Sequence, residues 1–182
     1  MIGDKGMQKG FTLLEIIVAA TIFAIASSAI SALFLVGVKG QRNALATQNV
    51  VENTRLALEL MSRQIRMAQR DETGSCVGEQ KTTFNAGGAT LTFLDSLGRC
   101  VTYQTAGNKI QMKQGSGAFL DLTSDDILVE TLEFEVSGRL ATDGVQPRVT
   151  MFLAAKASGT KPEDAVKILL ETTASVRNLD VP

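Results

Sequence analysis

Residues 9–40 read KGFTLLEIIVAATIFAIASSAISALFLVGVKG. From Ile16 to Val38, 23 residues carry no charge. A helix rising ~1.5 Å per residue spans roughly 35 Å over that length, enough to cross a ~30 Å hydrocarbon core. One residue breaks the pattern. Glu15 stands at the head of the apolar run, five residues past Gly10. An unpaired carboxylate in lipid costs ~2.5–3.5 kcal/mol on insertion scales. The stretch therefore predicts a membrane-spanning helix and also demands a partner for Glu15.

A cleaved secretory signal does not meet that demand. Ala24-Ile25-Ala26 imitates a small-residue cleavage site. The apolar run nevertheless continues beyond it through Ile30, Leu33, Phe34, Leu35 and Val36, and Glu15 would fall inside the apolar region of the signal. A plain signal anchor leaves Glu15 equally unexplained. Its flanking charges, Lys5 and Lys9 against Lys39 and Arg42, are balanced and give little orientation.

Lys9, Gly10, Phe11, Thr12, Leu13, Leu14 and Glu15 in order resemble the type IV prepilin signal. The resemblance implies that residues 1–10 are a leader, removed by a prepilin peptidase that cuts between Gly10 and Phe11. The same peptidase/methyltransferase would then methylate the Phe11 amine. Glu15 becomes the fifth residue of the mature chain. Its carboxylate is implied to meet the cationic N-terminus of a neighbouring subunit, or its own. Pairing offsets much of the cost of a charge in lipid, and the first turn of a helix favours an acid. Met7 is a second candidate start, which would leave Met7-Gln8-Lys9-Gly10 as leader.

Beyond Gly40, Val51, Thr54, Leu58, Met61, Ile65 and Ala68 recur at spacings of three and four, a stripe on one helix face. Glu52, Arg55, Glu59, Arg63 and Arg66 fill the other faces. No proline interrupts residues 11–70. One helix from Phe11 to about Gln69 is predicted, roughly 90 Å long. The alternative is two helices broken near Gly40, since Gly37 and Gly40 are the weak points. VENTRLALELMSRQIRMAQRD, residues 51–71, also resembles the end of the spine helix in minor pilins of the W type and pseudopilins of the J type.

Past Arg70 the chain is rich in Gly, Thr and Ser and alternates. ATLTFLD sets Leu91 and Phe93 opposite Thr90 and Thr92. CVTYQT and KIQMKQ flank a turn at Gly107-Asn108. FLDLT is a short strand. ILVETLEFEVSG points Leu132, Phe134 and Val136 inward and Glu133 and Glu135 outward. PRVTMFLAA and AVKILLETTASVRN complete an antiparallel set of six or seven strands. NAGGA reads as a loop, as does GTKPED around Pro162. The predicted fold is α+β: a leader at 1–10, a transmembrane half-helix at 11–38, an amphipathic half-helix at 39–70 and a β-rich head at 71–182. ETTASVRNLDVP resembles the closing strand of the same minor-pilin group, with Arg177 either paired to an acid or facing solvent.

The two cysteines, Cys76 and Cys100, are too few and too far apart for a zinc site. Outside the cytoplasm they predict a disulfide; otherwise they are two buried thiols. Eighteen Lys and Arg against nineteen Asp and Glu leave no basic excess for nucleic acid. There is no histidine, which removes the commonest general base and metal ligand. Asp121, Asp125 and Asp126 supply oxygens, but without the spacing of a calcium loop. No catalytic residues, cofactor or metal are expected.

The resemblance implies a minor pilin-like structural subunit of a type IV pilus. It would sit single-pass in the inner membrane with its head outside the cytoplasm, then enter a filament or its tip. Implied partners are other pilin or pseudopilin subunits, the peptidase, an inner-membrane assembly platform and cytoplasmic ATPases. A minor pseudopilin of a type II secretion system shares every one of these features. A signal-anchored enzyme or binding domain is the reading from another class. It predicts a concave pocket with convergent titratable groups.

Overall fold

A computed structural model of the chain describes residues 10–140, 143–159 and 166–177. Most of the leader, the Met7 start, residues 160–164 of the GTKPED loop with Pro162 and the last five residues lie outside them. One α-helix and eight strands are present among the described residues. Helix α1, Leu13–Arg66, is unbroken through Gly37 and Gly40, so the two-helix alternative does not hold. The chain forms two compact units, Met1–Ala44 and Leu45–Pro182.

In the first unit the large apolar side chains are exposed, Phe11, Leu14, Phe23, Leu33 and Phe34 among them. By length and composition α1 is apolar enough to cross a membrane. Three hydroxyls of its apolar stretch bond back to the helix's own carbonyls. Thr21 Oγ1 donates to Ile17 O, Ser28 Oγ to Ile25 O and Ser31 Oγ to Ser27 O, each at 2.8 Å. Such back-bonding lets small polar residues face a medium that offers no hydrogen bonds.

In the second unit two four-stranded antiparallel sheets form. One has the order β2 (Thr90–Leu94), β3 (Cys100–Ala106), β4 (Lys109–Gln114), β5 (Leu120–Asp121). The other has the order β1 (Gly87–Gly88), β6 (Ile127–Ser137), β7 (Arg148–Ala157), β8 (Ile168–Ser175). The fold is α+β. Leu91, Phe93, Val101, Tyr103, Ile110, Leu132, Phe134, Val149 and Met151 join Val50, Ala57, Leu58, Met61 and Ile65 of α1 in one buried cluster. Phe93 meets Phe84 edge-on at 5.8 Å and stacks on Tyr103 at 6.1 Å, distances at which aromatic pairs attract beyond simple burial.

Three local expectations need correction. The buried stripe begins at Val50, and Val51 is only half-buried; neighbours on a helix lie about 100° apart, so only one of the pair faces the core. Helix α1 stops at Arg66, short of Gln69. Met67 N–H and Ala68 N–H bond three residues back, to Gln64 O and Ile65 O, and Gln69 N–H turns away to Leu94 O at 2.9 Å, so the last turn tightens and the chain leaves for the sheet. The NAGGA segment is not a loop throughout, because Gly87 and Gly88 pair with Glu135 and Phe134. Gly87 has φ +81°, and a Cβ there would lie 2.5 Å from Phe134 O. Only glycine permits that approach.

The hairpin between β3 and β4 turns at Gly107 and Asn108, with φ of +58° and +60°. Two successive positive φ values suit the twist of adjacent strands. Between Val129 and Thr131 the β6–β7 register shifts, leaving Glu130 as a bulge.

Candidate functional site

The N-terminal site is built from the helix start upward. Thr12 is the cap: Glu15 N–H donates to Thr12 Oγ1 at 3.3 Å, and Ile16 N–H to Thr12 O at 3.2 Å. A Thr followed three residues later by Glu is the capping-box pattern. It explains why the helix starts at Leu13. Gly10 and Phe11 precede the helix and are exposed, and among the described residues nothing lies within 4 Å of a Cβ placed on Gly10. Glu15 is exposed in the first turn, where the partial positive charge of the free N–H groups favours a carboxylate. Immediately after it come Ile16, Ile17 and Val18, all exposed. One charged oxygen pair is thus held at the margin of a long apolar surface.

The head residues singled out in the sequence fall in separate places. Cys76 and Cys100 are joined by a disulfide with Cα atoms 5.5 Å apart. It ties the segment after α1 to the start of β3. Asp121 and Asp125 do not form an open oxygen cage. They converge on the Lys109 ammonium, which lies 2.9 Å from Asp121 Oδ2 and also pairs with Asp125. The Asp125 and Asp121 contacts raise the Lys109 pKa, and Lys109 and Gln111 hold Asp121 below its ordinary value. A cation of the chain itself bonds both carboxylates, and no group of three or more metal-binding side chains is found among the described residues. Glu59 and Arg63 lie 3.7 Å apart on the exposed helix face. At Arg177 the main-chain N–H donates to Arg66 O at 2.9 Å.

Residue-pattern reading missed Asp71. It is buried at 1 % exposure, and its carboxylate gathers the segment that follows α1. Oδ1 accepts from Thr73 N–H, Thr73 Oγ1 and Gly74 N–H; Oδ2 accepts from Cys76 N–H at 2.7 Å and Val77 N–H at 3.0 Å. Burial pushes the Asp71 pKa up, but these donors outweigh it and hold the group at about 2. The signal was Asp71-x-Thr73-Gly74, a side-chain-to-backbone turn pattern. Asp95 does the same in the β2–β3 turn. Burial opposes ionisation there, while Arg99, Leu97 and Gln114 donate and keep its pKa low.

No curated protein and no solved structure matches the chain. Residues 5–38 match the family described as the prokaryotic N-terminal methylation motif. That motif goes with membrane association and with processing by a prepilin peptidase in general. It covers the capped helix start, Glu15 and the apolar run, and this match supports a type IV prepilin-like N-terminal segment.

Proposed function

We propose that the chain is a structural, non-enzymatic subunit of a type IV pilus, of the minor pilin-like kind, built into a filament or its tip. The supporting observation is Glu15, an exposed first-turn acid directly ahead of an exposed apolar helix. Cutting between Gly10 and Phe11 frees a cationic amine four residues before that acid. Packed in a bundle, the helix of one subunit brings its Glu15 to the chain end of the next. The pair then forms in a medium where either charge alone is costly. Register between subunits follows from charge pairing, and cohesion follows from the apolar surfaces.

In the mature state the helix remains in the inner membrane with the β-rich head outside the cytoplasm, until a platform protein and cytoplasmic ATPases extract it. Mass spectrometry of the natural N-terminus tests this. The expected species begins at Phe11 and carries one added methyl group. A chain that retains residues 1–10 and is absent from sheared filaments is incompatible with the proposal.

A further inference from the structure

Helix α1 and strand β8 end side by side. The Arg177 N–H bond to Arg66 O gives a partner to a helix-terminal carbonyl. Beside it lies a groove of about 600 Å³ lined by Glu59, Ser62, Arg63, Arg66, Met67 and Arg177. Three arginines and one glutamate are among the residues that line this groove. Glu59 faces Arg63, and no ion pair joins Arg66 or Arg177 to a described residue. Arg63 and Arg66 suit the carbonyl end of a helix dipole. Arg177 comes from a different element and adds a third like charge. Met67, 46 % exposed, adds an apolar contact.

The opposite charge stands on the outer face of the β6–β7–β8 sheet. Strand register places Glu133, Phe152 and Glu171 in one row, with Glu135 two residues along β6 from Glu133. All four side chains are exposed, and Phe152 lines two shallow pockets of about 480 and 340 Å³. None of the three glutamates is in an ion pair with a described residue. The nearby Lys167 is bonded to Glu130 at 2.8 Å.

One patch therefore presents three arginines around a methionine, and another presents three glutamates around a phenylalanine. Guanidinium forks match carboxylates, and thioether sulfur packs well on aromatic rings. A nucleic acid fits the basic groove poorly. Glu59 reduces the local charge, and no aromatic side chain lines the groove for base stacking. We propose that the occupant is a second copy of this chain. The Arg63, Arg66 and Arg177 groove of one copy docks on the Glu133, Glu135 and Glu171 face of the next. Such pairing of two unlike patches is the kind that propagates along a fibre. The inference rests on the assembly reading above. A minor subunit is scarce rather than solitary, and two adjacent copies are enough.

The test uses two differently tagged full-length copies made in the same cells. Both carry Arg177→Lys, which keeps the charge and supplies an amine for zero-length carbodiimide coupling. The expected product is a two-tag dimer whose cross-linked peptide joins position 177 to Glu133, Glu135 or Glu171. Arg66→Glu in both copies lowers its yield at least ~10-fold, as loss of a paired charge at an interface does. Pairing that variant with a copy carrying Glu133→Arg and Glu135→Arg, and coupling through Glu171, restores it. Recovery by charge exchange is something a folding defect would not produce. Absence of the dimer, failure of the exchange, or coupling of position 177 to a different protein overturns the proposal, as does binding of a labelled oligonucleotide that Arg66→Glu abolishes. The N-terminal mass of the same sample separates the two readings. A methylated Phe11 terminus without the dimer sinks this contact alone, whereas an uncut terminus sinks the pilin reading whether or not the dimer forms.

Discussion

Tyr103 donates its hydroxyl hydrogen to Gln64 Oε1 at 2.8 Å, joining the middle of β3 to the last turns of α1. The tyrosine is fully buried, and burial pushes its pKa far up, so it stays a neutral donor at any ordinary pH. Gln64→Leu strands that hydroxyl and is expected to destabilise the head by ~1–3 kcal/mol. Tyr103→Phe removes the donor instead and leaves a half-exposed amide, for a smaller loss of ~1 kcal/mol. Denaturant titration of the detergent-solubilised chain gives both values, and an equal loss in the two variants would contradict the asymmetry.

The Asp71 carboxylate makes stability depend on pH. Its pKa falls from the ordinary 3.8 to about 2. A depressed carboxylate stabilises the fold fully above its unfolded pKa, and that contribution disappears as pH drops through the folded one. The melting temperature should therefore hold from neutrality to about pH 5 and fall between roughly pH 4 and 2. Asp71→Asn should melt lower at pH 7 and show a shallower acid decline. Glu130 titrates over the same interval, because bonds from Lys156 and Lys167 hold it at about 2 as well. The double variant Asp71→Asn, Glu130→Gln should flatten the acid limb further than either alone.

Reducing Cys76–Cys100, or replacing Cys76 with Ser, reopens a loop closed over a separation of 24 residues. Loop-closure entropy sets the expected loss at about 3 kcal/mol. Comparing melting with and without reductant measures it, and Cys76→Ser should be insensitive to reductant.

Met61 and Leu56 lie on the same helix at 0 % and 66 % exposure. Met61→Ala should cost ~2–5 kcal/mol by emptying the cluster around it. Leu56→Ala should stay within about 0.5 kcal/mol.

Glu15→Val should leave membrane insertion intact or improve it, since it removes a charge from the apolar segment. It should reduce the amount of this chain recovered in sheared filaments. Gly10→Leu should leave the leader attached. Fractionation and N-terminal mass report the two outcomes, and normal filament content of the Glu15 variant would remove the charge-pairing account.

Much of this architecture was legible because its determinants are local. The charge-free run needs only counting, the Gly107-Asn108 turn needs only its two residues, and the alternation through Leu132, Phe134 and Val136 shows which side of β6 is inward. The division into two sheets was not legible, because strand pairing joins residues far apart in sequence. Gly87 and Gly88 carry no apolar signal and pair only because β6 passes beside them. The role of Asp71 was not legible either, since its five hydrogen-bond donors come together only once the following segment curls around it. Asp121 and Asp125 showed only that oxygens were at hand; that both bond Lys109 depends on the hairpin that brings it beside them.

The Thr12 cap carries a further implication. The helix draws its opening hydrogen bonds from Thr12 onward and none from Gly10 or Phe11. Severing the peptide between those two residues would leave the helical ladder untouched. Maturation would then leave helix α1 as it stands from Leu13 to Arg66, and the mass and charge of the new polypeptide terminus would register that it had occurred.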